Sequence, residues 1–197
     1  MRTSASLLTV LICALGVAGC AAPHPPWQLD DVDGHLPDLA FRLTSDTGET
    51  VTEKNFAGKI DLLYFGYTHC PDVCPLTLAH LHVAMQRIGA AADDVQILFV
   101  SVDPARDTPG VLHEYVRAFD PRITGLTGPP DDIEALAKRY RAAFDREAPK
   151  SDGNYEVSHS SGVYIFDRGG KARLLATSGS SVDALTHDIG QLVRERQ

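Results

Sequence analysis

Apolar residues along this chain come in two rhythms. Short unbroken runs mark buried strands, and stripes recurring every three to four positions mark amphipathic helices. The run Leu62-Leu63-Tyr64-Phe65 predicts a strand over 60–65, entered through Gly58. After it, Leu78, Leu81, Met85 and Ile88 recur at helical spacing, with Pro75 suited to the first position of that helix. A strand is predicted over 95–101, then a helix over 109–119 with Thr108 as its N-cap and Pro109 at its first position. A short strand follows over 123–126, and Pro130 opens a helix carrying Ile133, Leu136, Ala137, Tyr140 and Phe144 on one face. Residues 150–155 read as a polar loop. Strands over 163–166 and 172–176 are joined by the hairpin signal Asp167-Arg168-Gly169-Gly170, and an amphipathic helix over 182–196 closes the chain. Near the start, Phe41-Arg42-Leu43 and Val51-Thr52 flank Gly48 as a small hairpin. Strands alternating with helices predict an α/β protein: a central mixed sheet flanked by helices, with an N-terminal hairpin and a C-terminal hairpin followed by a helix.

At 197 residues the chain can bury a core without disulfide staples, and it shows no internal repeat or second domain. A formal net charge of -8 leaves nothing to neutralise phosphates, which argues against nucleic acid as a partner. Met1-Arg2, followed by the apolar core from Leu7 to Leu15, has the pattern of an export signal. It ends in Val17-Ala18-Gly19-Cys20, which resembles a bacterial lipoprotein signal. That resemblance implies removal of residues 1–19, lipidation of Cys20, and attachment to a bacterial membrane on the periplasmic or outer side. Cys13 leaves with the signal. Residues 20–35, which include Pro23, Pro25 and Pro26, read as an extended tether, and 36–197 as the domain. After residue 20 no stretch is apolar enough to span a bilayer.

Two cysteines remain for the domain, in Gly66-Tyr67-Thr68-His69-Cys70-Pro71-Asp72-Val73-Cys74-Pro75. They sit where a buried strand turns into a helix, beside the positive end of the helix dipole. That field favours thiolate, which is both the nucleophile and the metal ligand. A reactive cysteine pair at this place makes the predicted fold thioredoxin-like. Residues four apart on a helix have Cβ atoms ~5–6 Å apart. A disulfide prefers ~3.5–4.5 Å, so the spacing permits a reversible disulfide after some tightening and also suits a chelate.

A chelate from two thiolates needs a third ligand, and histidine is the candidate type. His80 lies opposite the Leu78/Leu81 stripe and reads as solvated, while His82 flanks the stripe and reads as a packing residue. His69 shapes the turn, and His113 and His187 fall on remote helices. His159 stands in Val157-Ser158-His159-Ser160-Ser161, just before an apolar strand, where thioredoxin-like folds bring a loop towards the cysteines. Taken from its neighbourhood alone it is an ordinary polar loop residue.

The run from Thr68 to Pro75, then Asp103-Pro104-Ala105-Arg106-Asp107-Thr108-Pro109, Gly125-Leu126-Thr127-Gly128, and His159 before a strand together resemble the Sco/SenC family. The resemblance covers the chain from about Leu36 onward. It implies a membrane-tethered, thioredoxin-fold copper protein that helps assemble the copper centre of cytochrome c oxidase. Copper, as Cu(I) or Cu(II), is then held by Cys70, Cys74 and His159, and Asp103 and Asp107 lie on a loop near the site. Read from their own surroundings, those two aspartates are turn and helix-capping residues. The implied partner is the copper-bearing oxidase subunit, with another copper chaperone and a thiol reductant as further candidates. Ser158 is a departure, since many members carry an acidic residue there. The chemistry agrees: soft thiolates favour Cu(I), and an added imidazole lets the site hold Cu(II). The rival reading is a membrane-tethered thiol-disulfide oxidoreductase, which uses Cys70 and Cys74 but not His159. A peroxiredoxin-type peroxidase is disfavoured because neither cysteine has the proline and threonine that such enzymes carry upstream. A structural zinc site is disfavoured because closed sites take four ligands.

Overall fold

The structure is a computed structural model that describes residues 25–151 and 154–195. The expected signal peptide and the lipidation site at Cys20 lie outside the described residues. The strands are β1 (Asp30–Asp31), β2 (Arg42–Ser45), β3 (Thr50–Thr52), β4 (Ile60–Gly66), β5 (Val95–Ser101), β6 (Ile123–Thr127), β7 (Phe144–Arg146), β8 (Val157–His159), β9 (Val163–Phe166) and β10 (Ala172–Ala176). The helices are α1 (Val73–Ile88), α2 (Pro109–Arg117), α3 (Pro130–Arg139) and α4 (Val182–Arg194).

Eight strands form one mixed sheet in the order β1-β10-β9-β4-β5-β6-β2-β3. At its centre β4, β5 and β6 run parallel, and β9 runs antiparallel to β4. Such strands are covered on both faces, which is why their sequences are continuously apolar. Every residue of β4 is buried. Along β9 the faces alternate: Tyr164 and Phe166 pack their rings against Tyr140 just past the end of α3, while Val163 shares a cleft with Leu81 of α1 and Leu185 of α4. Helices therefore lie on both sides of the sheet, and the layered thioredoxin-like architecture is the predicted one.

Several local expectations are corrected. Residues 25–35, read as the end of a tether, pack on the domain: Leu29 is buried, β1 pairs with β10, and Asp188 accepts from the backbone N–H groups of Gln28 and Leu29. The helix starting at Pro130 stops before Phe144. Arg141 takes the left-handed φ of 57°, and the N–H of Ala142 closes on the carbonyl of Ala137. Phe144 instead begins β7, which pairs only with β8 in a separate two-stranded ribbon. The last helix ends at Arg194. Among the described residues no helix is long and apolar enough to cross a membrane.

Candidate metal centre

Three segments converge at the carboxyl end of β4. The first is the turn after that strand, where the N–H of Cys70 bonds to the carbonyl of Tyr67 at 3.2 Å. The second is the first turn of α1. This helix begins at Val73, so Pro75 occupies its third position rather than its first; an N–H there is unpaired in any case. Cys74 is thereby drawn into the helix proper. Asp72 caps with no side-chain bond, and the Sγ of Cys70 accepts from the N–H of Cys74 at 3.5 Å instead. The third segment is β8, which ends at His159, so this histidine belongs to a strand and not to a loop.

Nε2 of His159 lies 3.2 Å from Sγ of Cys74. Nδ1 lies 3.0 Å from the carbonyl oxygen of Ser160, an acceptor only, so Nδ1 carries the proton and Nε2 presents its lone pair to the thiol. Edges of the imidazole meet the rings of Tyr67 at 5.8 Å and Tyr64 at 6.2 Å between centroids. Burial lowers the pKa of His159, partly opposed by its bonds to backbone carbonyls, which keeps the ring neutral and able to ligate. Both cysteines are free thiols and both are buried. The donor atoms of Cys70, Cys74 and His159 all lie within 4.8 Å of one another. No other group of three or more such side chains is found among the described residues.

The field of the helix terminus does not decide the state of Cys74. Burial pushes its thiol up to about 12, only partly opposed by the nearby hydroxyl of Tyr64 and the backbone of Tyr67. Without a cation this sulfur stays protonated. A bound metal would supply the missing charge and displace the proton.

Four of the other histidines among the described residues have side-chain partners of their own. His82 is not a mere packing residue but bonds to Asp120 at 2.8 Å and to Gln86 at 2.8 Å. His113 bonds to Asp46, His187 to Asp188 and His69 to the hydroxyl of Thr68. His80 is half-buried against the cleft beside α1 rather than solvated. Ser158 is exposed, and its hydroxyl donates to the carbonyl of Asp145 at 3.4 Å.

Asp103 and Asp107 are fully buried, and neither caps a helix, since the cap of α2 is Thr108. Asp107 accepts from Thr68, two residues before Cys70, while Asp103 accepts from Arg106, Arg146 and Tyr155. Nothing in the sequence singles out Tyr64, Tyr67, Arg146 and Tyr155 as site residues. Tyr64 sits in the apolar run before the site and Tyr67 in the run that marks it, but nothing local distinguishes them from core residues.

A family model described as SCO1/SenC matches residues 33–194. "Protein SCO1 homolog 1, mitochondrial" of Arabidopsis thaliana is 40% identical over 156 residues, which is 79% of this chain and 46% of that protein. The chain spans about half the length of the relatives it matches. Among solved structures, copper-bound ScoI of Arabidopsis thaliana superposes with a TM-score of 0.74 at 39% identity, covering 80% of this chain and 98% of that one. Copper-bound ScoI of Bradyrhizobium japonicum gives a TM-score of 0.70 at 37% identity, covering 77% and 96%.

Proposed function

This chain belongs to the SCO1/SenC family, and from that premise we propose that it is a copper metallochaperone whose cargo is one copper ion on Cys70, Cys74 and His159. The observation that carries the reading is the approach of Nε2 of His159 to Sγ of Cys74, 85 residues away in sequence, with its lone pair directed at that sulfur. A thiol-disulfide pair needs no such imidazole, whereas a site that also holds Cu(II) does. Two thiolates are a soft donor set that suits Cu(I), and the neutral imidazole extends the site to Cu(II). Loading displaces the thiol protons. Three protein ligands leave a side open from which an acceptor's ligands exchange the ion away without electron transfer.

The acceptor in this reading is the copper-bearing subunit of a cytochrome c oxidase. Another copper chaperone supplies the ion, and a thiol reductant reopens any Cys70–Cys74 disulfide formed in an oxidising compartment. Removal of residues 1–19 and lipidation of Cys20 would confine the domain to the membrane surface where that subunit sits. What supports this is the signal pattern ending at Cys20.

The test compares the reduced chain with its His159→Ala variant after copper loading. One copper per chain and a thiolate-to-Cu(II) charge-transfer band, with the band lost in the variant, support the proposal. A chain that holds no metal in either form and simply closes the Cys70–Cys74 disulfide is instead the oxidoreductase.

A further inference from the structure

His159 is carried by a ribbon outside the main sheet, so its position depends on whatever fixes β7 and β8 to the domain. At the end next to His159, the N–H of Ser160 bonds to the carbonyl of Ala143 at 2.8 Å, and the N–H of Ala143 to the hydroxyl of Ser160 at 2.9 Å. These bonds close the ribbon on itself. The tie to the domain is at the other end, on Asp103 in the loop after β5. Oδ1 of Asp103 accepts from Nη2 of Arg146 at 3.2 Å and from the hydroxyl of Tyr155 at 2.7 Å, while Oδ2 accepts from Nε of Arg106. Arg146 is the last residue of β7 and Tyr155 stands just before β8. Arg106 also donates to the carbonyl of Tyr155 at 3.1 Å. The guanidinium groups of Arg106 and Arg146 lie over the Tyr155 ring, 3.7 Å and 4.5 Å from its centroid. A single buried carboxylate thus grips both strands of the ribbon. Other polar ties among the described residues are Nη1 of Arg106 to Oδ1 of Asn154 at 3.0 Å, which depends on the same arginine, the N–H of Val157 to the hydroxyl of Tyr67 at 3.4 Å, and the approach of His159 itself to Cys74.

We infer that Asp103 is a positioning residue for the metal centre: by anchoring the β7–β8 ribbon it sets whether the imidazole of His159 joins the two thiolates. The inference rests on the copper reading above. Its consequence is a separation of oxidation states. Two thiolates suffice for Cu(I), whereas Cu(II) requires the imidazole. Loss of Asp103 therefore weakens Cu(II) binding and spares Cu(I). In Asp103→Asn an amide NH2 meets the N–H donors of Arg106 or Arg146, and two guanidinium groups lose their anion. The ribbon loses its anchor, and its internal bonds, no longer held against the domain, open more often.

The experiment measures Cu(I) and Cu(II) affinities of the full chain by chelator competition, with visible absorption, for wild type, Asp103→Asn and His159→Ala. In parallel, amide exchange of Glu147 and Ser160, which close the two ends of the ribbon, is followed in the metal-free chain. Cu(II) affinity is expected to fall about tenfold to a hundredfold in Asp103→Asn, in the range typical for partners that orient a metal ligand. The charge-transfer band should move towards that of His159→Ala, Cu(I) affinity should stay close to wild type, and both amides should exchange faster. An unchanged Cu(II) spectrum with unchanged exchange overturns the inference, as does an equal loss of both oxidation states. If wild type binds no copper the metallochaperone reading fails, and amide exchange alone then decides whether Asp103 anchors the ribbon. If Asp103→Asn does not fold, Tyr155→Phe carries the same comparison, because it removes one bond to the carboxylate and keeps the ring.

Discussion

Thr68 is bonded twice to Asp107, through its backbone N–H to Oδ2 at 3.0 Å and through its hydroxyl to Oδ1 at 2.6 Å. With its only proton committed to the carboxylate, the hydroxyl oxygen accepts from Nδ1 of His69 at 3.0 Å. The hydroxyl of Ser101 donates to the same Oδ2 at 2.6 Å. A buried anion thus joins the turn ahead of Cys70 to the end of β5. Asp107→Ala leaves these donors without an acceptor, and unfolding in urea should show a loss of about 3–5 kcal/mol. Asp107→Asn should lose less, because one oxygen still accepts. An alanine variant as stable as wild type would mean the turn is held by something else.

The two thiols should react unequally. Cys70 is 9% exposed and Cys74 is sealed. Burial pushes the Cys74 thiol up to about 12, so at pH 8 only about one molecule in 10⁴ carries that thiolate. A time course of iodoacetamide on the reduced, metal-free chain, read by peptide mass spectrometry, should show Cys70 alkylated first. Cys74 should follow on the order of a hundredfold more slowly. Alkylation of both at one rate would show that the pocket opens faster than the reagent reacts.

What the sequence made legible follows from where the information sits. The central strands and the α1 stripe are long and apolar, and the cysteine pair lies between them, so the core and two of the three candidate ligands are read locally. The ribbon is not. β7 and β8 are three residues each, and Phe144 follows Tyr140 at helical spacing, which mimics a continuing helix. The helix ends at Arg139, and just past its cap Arg141 takes a left-handed conformation usually announced by glycine. The faint local signal is the apolar-to-polar step at Val157 and Ser158, while Phe144-Asp145-Arg146 does not alternate. The roles of Asp103 and Asp107 depend on partners as far away as Tyr155, 52 residues on, and no local pattern carries that.

Stability should fall with rising pH because of Asp61. This residue of β4 is 3% exposed, and its Oδ1 has no hydrogen-bond partner. Burial pushes its carboxyl up to about 8, against a smaller lowering pull from Lys59. Between the ordinary carboxylate value of about 4 and that higher one, the folded chain holds a proton that the unfolded chain has released. The contribution is therefore complete below about pH 4 and is lost progressively towards pH 8, by several kcal/mol. Asp61→Asn should flatten this slope and be the more stable protein at pH 8. Urea unfolding at pH 5, 6.5 and 8 decides; equal slopes in both proteins would remove Asp61 as the cause.

Gly66 ends β4 directly beneath the candidate metal centre. A Cβ there would stand 2.7 Å from Cε2 of Phe99 and 3.0 Å from Sγ of Cys74. Neither neighbour has room to retreat, since both are fully buried and the Phe99 ring is packed between those of Tyr64 and Tyr115 at 5.9 Å and 5.6 Å. Overpacking of this kind costs about 1–3 kcal/mol. The sulfur also has a constraint that the ring lacks, because moving it changes the 3.2 Å approach to His159. Gly66→Ala should therefore be destabilised and, once loaded with copper, should show a shifted thiolate-to-Cu(II) band. A destabilised variant with an unshifted band would mean that Phe99 alone yields and the sulfur keeps its place. A variant unchanged in both would show that the close approach of β4 to Cys74 is not needed to set the site.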